Sequence, residues 1–169
     1  MKMKKISFGL NIFMLSILSF SAFAEQPVTV PIQRLSLDMA TKAAQAAIKE
    51  CRKLGVQVAV TLVDRGGHPQ VVLRDVLAMD LTLPISRDKA YTAMSFNTPT
   101  AGLIKRLEHA NSIGKIEGVI AAQGGLPITA AGTLLGGIGV SGAPSGITDE
   151  KCAKAGLNAI AADLDMADF

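Results

Sequence analysis

Apolar residues along this chain switch between two periods, and the switches mark its elements. Ala40, Ala44, Ala47, Cys51 and Leu54 recur at helical spacing between polar positions, which predicts a helix from Leu37 to Leu54 with one small-residue face against a sheet. Ser36 is placed to cap it. Asp38 lies near its positive end, Lys49, Arg52 and Lys53 lie near its negative end, and Gly55 follows its stop. The period then falls to two: Val56, Val58, Val60 and Leu62 alternate with Gln57, Ala59 and Thr61, a strand. Asp64-Arg65-Gly66-Gly67-His68-Pro69 turns the chain into a second strand, Gln70 to Asp75, giving an antiparallel hairpin.

Helical spacing returns from Pro84 to Phe96, and another helix is expected from Pro99 with Thr98 as its cap. Short strands are expected at Val119–Gln123, Pro127–Ala130 and Leu134–Ser141. A last helix is expected to open at Thr148 and bury Ala153, Leu157, Ile160 and Leu164. Helix, hairpin, helices, strands, helix is an α+β order, and a five-stranded antiparallel sheet flanked by helices fits it.

The first residues read as an address. Lys2, Lys4 and Lys5 precede an apolar run from Ile6 to Phe20, and Ala22-Phe23-Ala24 forms a small-x-small cleavage site. Residues 1–24 are therefore expected to be a signal peptide and 25–35 an extended arm, with Pro27 and Pro31 holding it open. Residues 36–169 follow as a single domain, and about 145 residues after the cut suffice for one core. The product would be periplasmic or secreted, with no stable membrane insertion after cleavage.

Cleavage also changes the charge. The chain has 17 Lys+Arg and 14 Asp+Glu, and the loss of three leader lysines leaves 14 of each. A neutral surface lacks the phosphate neutralisation that drives nucleic-acid affinity, and Tyr91, Phe96 and Phe169 are the only aromatics left for base stacking. Nucleic acid is not an expected partner.

Gly137-Ile138-Gly139-Val140-Ser141-Gly142 fits G-x-G-x-x-G literally. A nucleotide loop of that kind must follow a strand and open a helix. Here Ile138 and Val140 continue the strand pattern, while Pro144 and Gly146 delay the helix. No nucleotide cofactor is expected, and the glycines instead permit close approach of a backbone, a ligand or a neighbouring subunit. No Gly-x-Ser-x-Gly elbow supports a serine hydrolase.

His68 and His109 are the only histidines. Either can ligate iron or haem, although His68 lies in a turn where a solvated ring is ordinary and His109 at a helix end where a cation is ordinary. Two histidines without a carboxylate or thiol cluster do not form a zinc site. Cys51 and Cys152 are a pair in a chain read as exported, which favours a disulfide, and two buried thiols are the other reading. Lys89 or Arg74 would suit a ligand carboxylate, against a solvated charge cluster with Arg87 and Asp88. Met79 is a soft axial ligand or plain packing.

In combination these motifs resemble the GlcG/HbpS family over most of residues 36–165. The resemblance rests on Val60-Thr61-Leu62-Val63-Asp64 with Gly67, Arg74, and Ser86 followed by Lys89-Ala90 and Thr92-Ala93. It continues through Pro99-Thr100, Gly124-Gly125-Leu126-Pro127-Ile128 and Gly137 to Gly142. The chain departs from the usual pattern at Asp75–Asp80 and at Ala143–Asp149.

The resemblance implies a profilin-like fold, homo-oligomers and an association with haem or iron. The expected ligand-binding set is Arg74, Met79, Lys89, Thr100, Gly124 and Gly125, with His109 and His68 as iron ligands. The expected function is non-catalytic binding of haem or a related tetrapyrrole. The alternatives are haem degradation or another small-molecule reaction using Asp64, Asp75 or Tyr91, and a module binding a small organic acid such as glycolate.

Overall fold

The structure, a computed structural model, describes residues 27–109 and 113–167. The expected signal peptide and Phe169 lie outside the described residues. Pro31–Phe169 form one compact unit.

Helix α1 spans Leu37–Lys53, and Ser36 Oγ accepts the Met39 N–H at 3.3 Å. Strands β1 (Ala59–Asp64) and β2 (Pro69–Arg74) form the hairpin, followed by α2 (Thr82–Phe96) and α3 (Thr100–His109). Strands β3 (Gly125–Ala130) and β4 (Thr133–Ser141) precede α4 (Gly146–Asn158) and the short α5 (Ala161–Asp165). Among the described residues the sheet has four strands in the order β2-β1-β4-β3, every neighbouring pair antiparallel.

The five-stranded expectation is therefore corrected, because Val119–Gln123 joins no ladder. Two of its amides are satisfied elsewhere. The Val119 N–H donates to the Ile116 carbonyl at 3.1 Å, and the Ile120 N–H donates to Thr92 Oγ1 at 3.0 Å. A side chain of α2 thus holds this segment in place of a neighbouring strand.

Period two in β1 divides the molecule into layers. Val60 and Leu62, with Ile138 and Val140 of β4, pack against Ala40, Ala44 and Ala47 of α1 and Ala153 of α4. Thr61 and Val63 face α2, where Thr61 Oγ1 and Ser86 Oγ share a hydrogen bond of 2.8 Å and Val63 packs on Ala90 and Met94. Each fully buried Val, Leu or Ile contributes roughly 1.5–3 kcal/mol, more than a cap's typical ~1 kcal/mol, so the two-sided core dominates local signals.

On the α2 face β4 carries glycine. A Cβ at Gly139 would strike the Ser86 carbonyl and the Ala90 amide, and one at Gly137 would strike the Ala90 carbonyl. The glycine run is thus a track on which the α2 backbone lies directly on the sheet. Across the opposite face, Cys51 and Cys152 are joined in a disulfide between α1 and α4, with Cα atoms 5.5 Å apart.

Several boundaries shift for local reasons. Helix α2 begins before Pro84, which sits in its first turn where a missing N–H costs nothing. Helix α3 begins at Thr100, one residue after the expected Pro99, and the Thr98 hydroxyl donates to the Phe96 carbonyl at 3.0 Å. Helix α4 opens at Gly146, before the expected Thr148, and Ser145 caps it by accepting the Thr148 N–H at 3.2 Å. Ile160 is fully buried as expected, but it follows the end of α4 and precedes α5.

Candidate functional site

Lys89, Thr100, Gly124 and Gly125 do come together, but as a buried joint. Lys89 Nζ donates to Asp149 Oδ2 at 2.7 Å and to the Val140 carbonyl at 3.0 Å. The two side chains are only 5% and 4% exposed. Asp149 Oδ1 also accepts the Ala143 N–H at 3.0 Å. Burial pushes the Asp149 carboxyl above the ordinary aspartate range, against the pull of the Lys89 hydrogen bond and charge and of the Ala143 N–H.

A side chain at Gly124 would collide with both partners of that pair, since its Cβ would lie 2.7 Å from Asp149 Cβ and 3.0 Å from Lys89 Nζ. Thr100 is fully buried, and its Oγ1 accepts the Gly125 N–H at 3.0 Å, tying the start of α3 to the start of β3. Expected as ligand-binding residues, these four form a buried contact among themselves and with Asp149. Lys89 has spent its charge on Asp149, and the other three make room for that clasp or hold the strand beside it. In the sequence Asp149 reads as a first-turn acid of the last helix, where such a residue ordinarily serves the helix dipole, and not as a partner of Lys89.

The remaining candidates lie on the surface at separate places. His68 stands in the β1–β2 turn with its side chain 80% exposed, Nδ1 lying 3.5 Å from Asp64 Oδ1. Asp64 itself organises the turn, because Oδ1 accepts the Gly66 N–H at 2.8 Å and the His68 N–H at 3.0 Å. Burial opposes its ionisation, but those two amides and the charges of Arg34 and His68 hold the carboxyl below its usual range. A proton-transfer role for Asp64 finds no support there. Arg74 donates to the Ala78 carbonyl at 2.7 Å, which folds the connection carrying the exposed Met79 back onto the end of β2. Asp75 is engaged by Arg52 through two hydrogen bonds of 2.7 and 2.8 Å.

His109 differs from these because it lines a cavity. With Phe96, Leu103, Arg106, Leu107 and Ile113 it bounds about 260 Å³ between the end of α2 and α3. Leu103 and Leu107 are buried and form the apolar wall, whereas Arg106 and His109 are exposed at the mouth. An imidazole, a guanidinium and aliphatic walls in one hollow can coordinate a metal, meet a carboxylate and cover a flat apolar ring. Arg106 and Phe96 were not singled out in the sequence. The available signal was the three-residue spacing of Arg106 and His109, which places them on one helix face.

A second hollow of about 320 Å³, lined by Gly67, Pro69, Arg87, Asp88, Tyr91, Glu117 and Gly118, contains no imidazole. Among the described residues no three His, Cys, Asp or Glu side chains are grouped to hold a metal ion. Among the same residues no helix is long and apolar enough to cross a membrane.

The architecture matches known structures closely. A crystal structure of an HbpS double mutant from Streptomyces reticuli is 42% identical with a TM-score of 0.75, covering 80% of this chain and 92% of that one. The crystal structure of a PduOC:heme complex is 27% identical with a TM-score of 0.70, covering 75% of this chain and 95% of that one. The corrinoid adenosyltransferase PduO of Citrobacter freundii is 28% identical over 117 residues, which are 66% of this chain and only 35% of the adenosyltransferase. Residues 35–158 match the family described as haem degrading protein HbpS-like, and the chain belongs to that GlcG/HbpS family.

Proposed function

We propose that this protein binds haem or a related tetrapyrrole as an exported, homo-oligomeric, profilin-like domain, with His109 as the iron ligand and Arg106 facing a propionate. Family membership supports haem as the ligand class, and the haem complex of the PduOC relative supports it again. One observation carries the choice of site. Among the expected iron ligands, His109 shares an apolar cavity with a cation.

The residues fit the group in part. The cavity of about 260 Å³ falls below the roughly 300–1,000 Å³ that encloses a drug-sized ligand, so it would clasp one edge of the macrocycle. A second copy of the chain covering the remainder is the arrangement that accounts for both haem binding and assembly. Bound haem would supply an iron centre for an imidazole to ligate. The chain's own contribution is to orient the ring with Phe96 and Leu107, neutralise a carboxylate with Arg106 and present the His109 imidazole.

Titration of the purified protein with hemin tests this reading. A Soret shift that persists in His68→Ala and is lost in His109→Ala is expected. Equal behaviour of the two variants would overturn the site. Haem degradation is the second reading, favoured by the family's description. Decay of the Soret band on adding ascorbate in air, faster than for free hemin, would favour it.

A further inference from the structure

Strand β2 lies at the end of the sheet order, so its outer side has no strand beside it among the described residues. The ladder fixes which backbone groups point outward. The Asp75 N–H donates to the Val58 carbonyl at 3.0 Å, and the register pairs Leu73 with Val60, Arg74 with Ala59 and Val72 with Thr61. Antiparallel pairs alternate between bonded and unbonded, so Leu73 turns its amide and carbonyl toward β1 while Val72 and Arg74 turn theirs outward.

Beside that edge runs a groove of about 650 Å³ walled by Gln45, Ile48, Lys49 and Arg52 of α1. Its charge is unbalanced. Asp75 already neutralises Arg52, and Glu50 is occupied by Lys53 and Lys151. Arg74 is held by a carbonyl and not by a carboxylate. Val72, 48% exposed, adds an apolar step beside these cations.

We propose that this edge is a docking site for an extended acidic peptide segment of a partner protein, added to the sheet as a strand antiparallel or parallel to β2. The outward amides and carbonyls of Val72 and Arg74 would supply the main-chain hydrogen bonds, and Lys49 and Arg74 would select carboxylates. Cations on an exposed edge discourage pairing with another copy of the same basic edge. Those charges leave an acidic strand as the complementary occupant.

The test uses a fluorescent peptide of alternating valine and glutamate against the purified protein. Controls are the valine–lysine counterpart, polyglutamate, and the valine–glutamate peptide N-methylated at alternate residues. Saturable binding of the first peptide alone is expected, with slowed hydrogen exchange at the Val72 and Arg74 amides. Lys49→Glu/Arg74→Glu, checked for folding by circular dichroism, should weaken it at least about tenfold. Absence of binding overturns the proposal. So does equal binding of the lysine peptide, polyglutamate or the methylated peptide, or binding unchanged in the charge-reversed variant. Displacement of the peptide by a rise in self-association would assign the edge to a second copy and also overturn it.

Discussion

Lys89 takes a positive charge to a position only 4% exposed, where its nearest anion is Asp149 at 2.7 Å. Removing one member of such a pair strands the other, at a cost of about 3–5 kcal/mol, whereas replacing both with apolar groups is far milder. Lys89→Met should therefore lower unfolding free energy by about that amount, and Lys89→Met/Asp149→Leu should recover much of it. Denaturant titration of the variants measures the difference, and a single variant within about 1 kcal/mol of wild type would contradict the clasp.

Asp75 supplies a pH signature. The Arg52 hydrogen bond, the Val76 N–H and the Arg52 charge hold its carboxyl below the usual range, against burial. Its folded pKa is depressed, so the stability it contributes is present above the unfolded value near ~3.9 and is lost as pH falls through the lowered folded value. The Tm gap between wild type and Asp75→Asn should accordingly narrow as pH drops below about 5. A gap that widens with acid would reverse the assignment. From the sequence, Lys89 stood out as chemically interesting. Its partner lies 60 residues away, and nothing in the local pattern connects them.

Elements were read best where the hydrophobic period was strict. Helix α1 and the β1–β2 hairpin fall within a few residues of their expected bounds, because the alanine stripe and the alternating valines each permit one conformation with a buried face. Val119–Gln123 misled for a physical reason: β-branched residues suit any extended segment, and whether a ladder partner exists is a tertiary fact. The glycines of β4 were legible as a place of close approach, but not as the seat of α2. Their crowding gives a prediction at this scale. Gly139→Ala would press a methyl onto the backbone of Ser86 and Ala90, which cannot rotate away. A loss of at least about 1–3 kcal/mol is expected from thermal or denaturant unfolding, and a neutral result would mean α2 is not seated there.

For the whole molecule, a sheet packed on both faces leaves little of the interior for a ligand, so the candidate sites sit at its margins. The haem site proposed above lies at the α2–α3 end and the proposed peptide site at the β2 edge. The disulfide ties the layer opposite α2 across a sequence separation of 101 residues. Closing a loop of that length stabilises by at most roughly 4–5 kcal/mol in the chain-entropy account. Cys51→Ala/Cys152→Ala should unfold at lower denaturant with its helical signal intact, and an unchanged midpoint would show the link to be idle. At this scale the sequence revealed family and layering, since both follow from motifs spread along the chain. The ligand hollow was less visible, because Phe96, Arg106 and His109 come together only once α3 has packed beside the end of α2.

The most direct measurement is chemical rescue of the proposed iron ligand. His109→Gly should bind hemin weakly with a displaced Soret band, and free imidazole should restore the wild-type spectrum by filling the vacated position. A His109→Gly protein whose hemin spectrum matches wild type without imidazole would contradict the assignment of His109 and, with it, the haem site at the α2–α3 end.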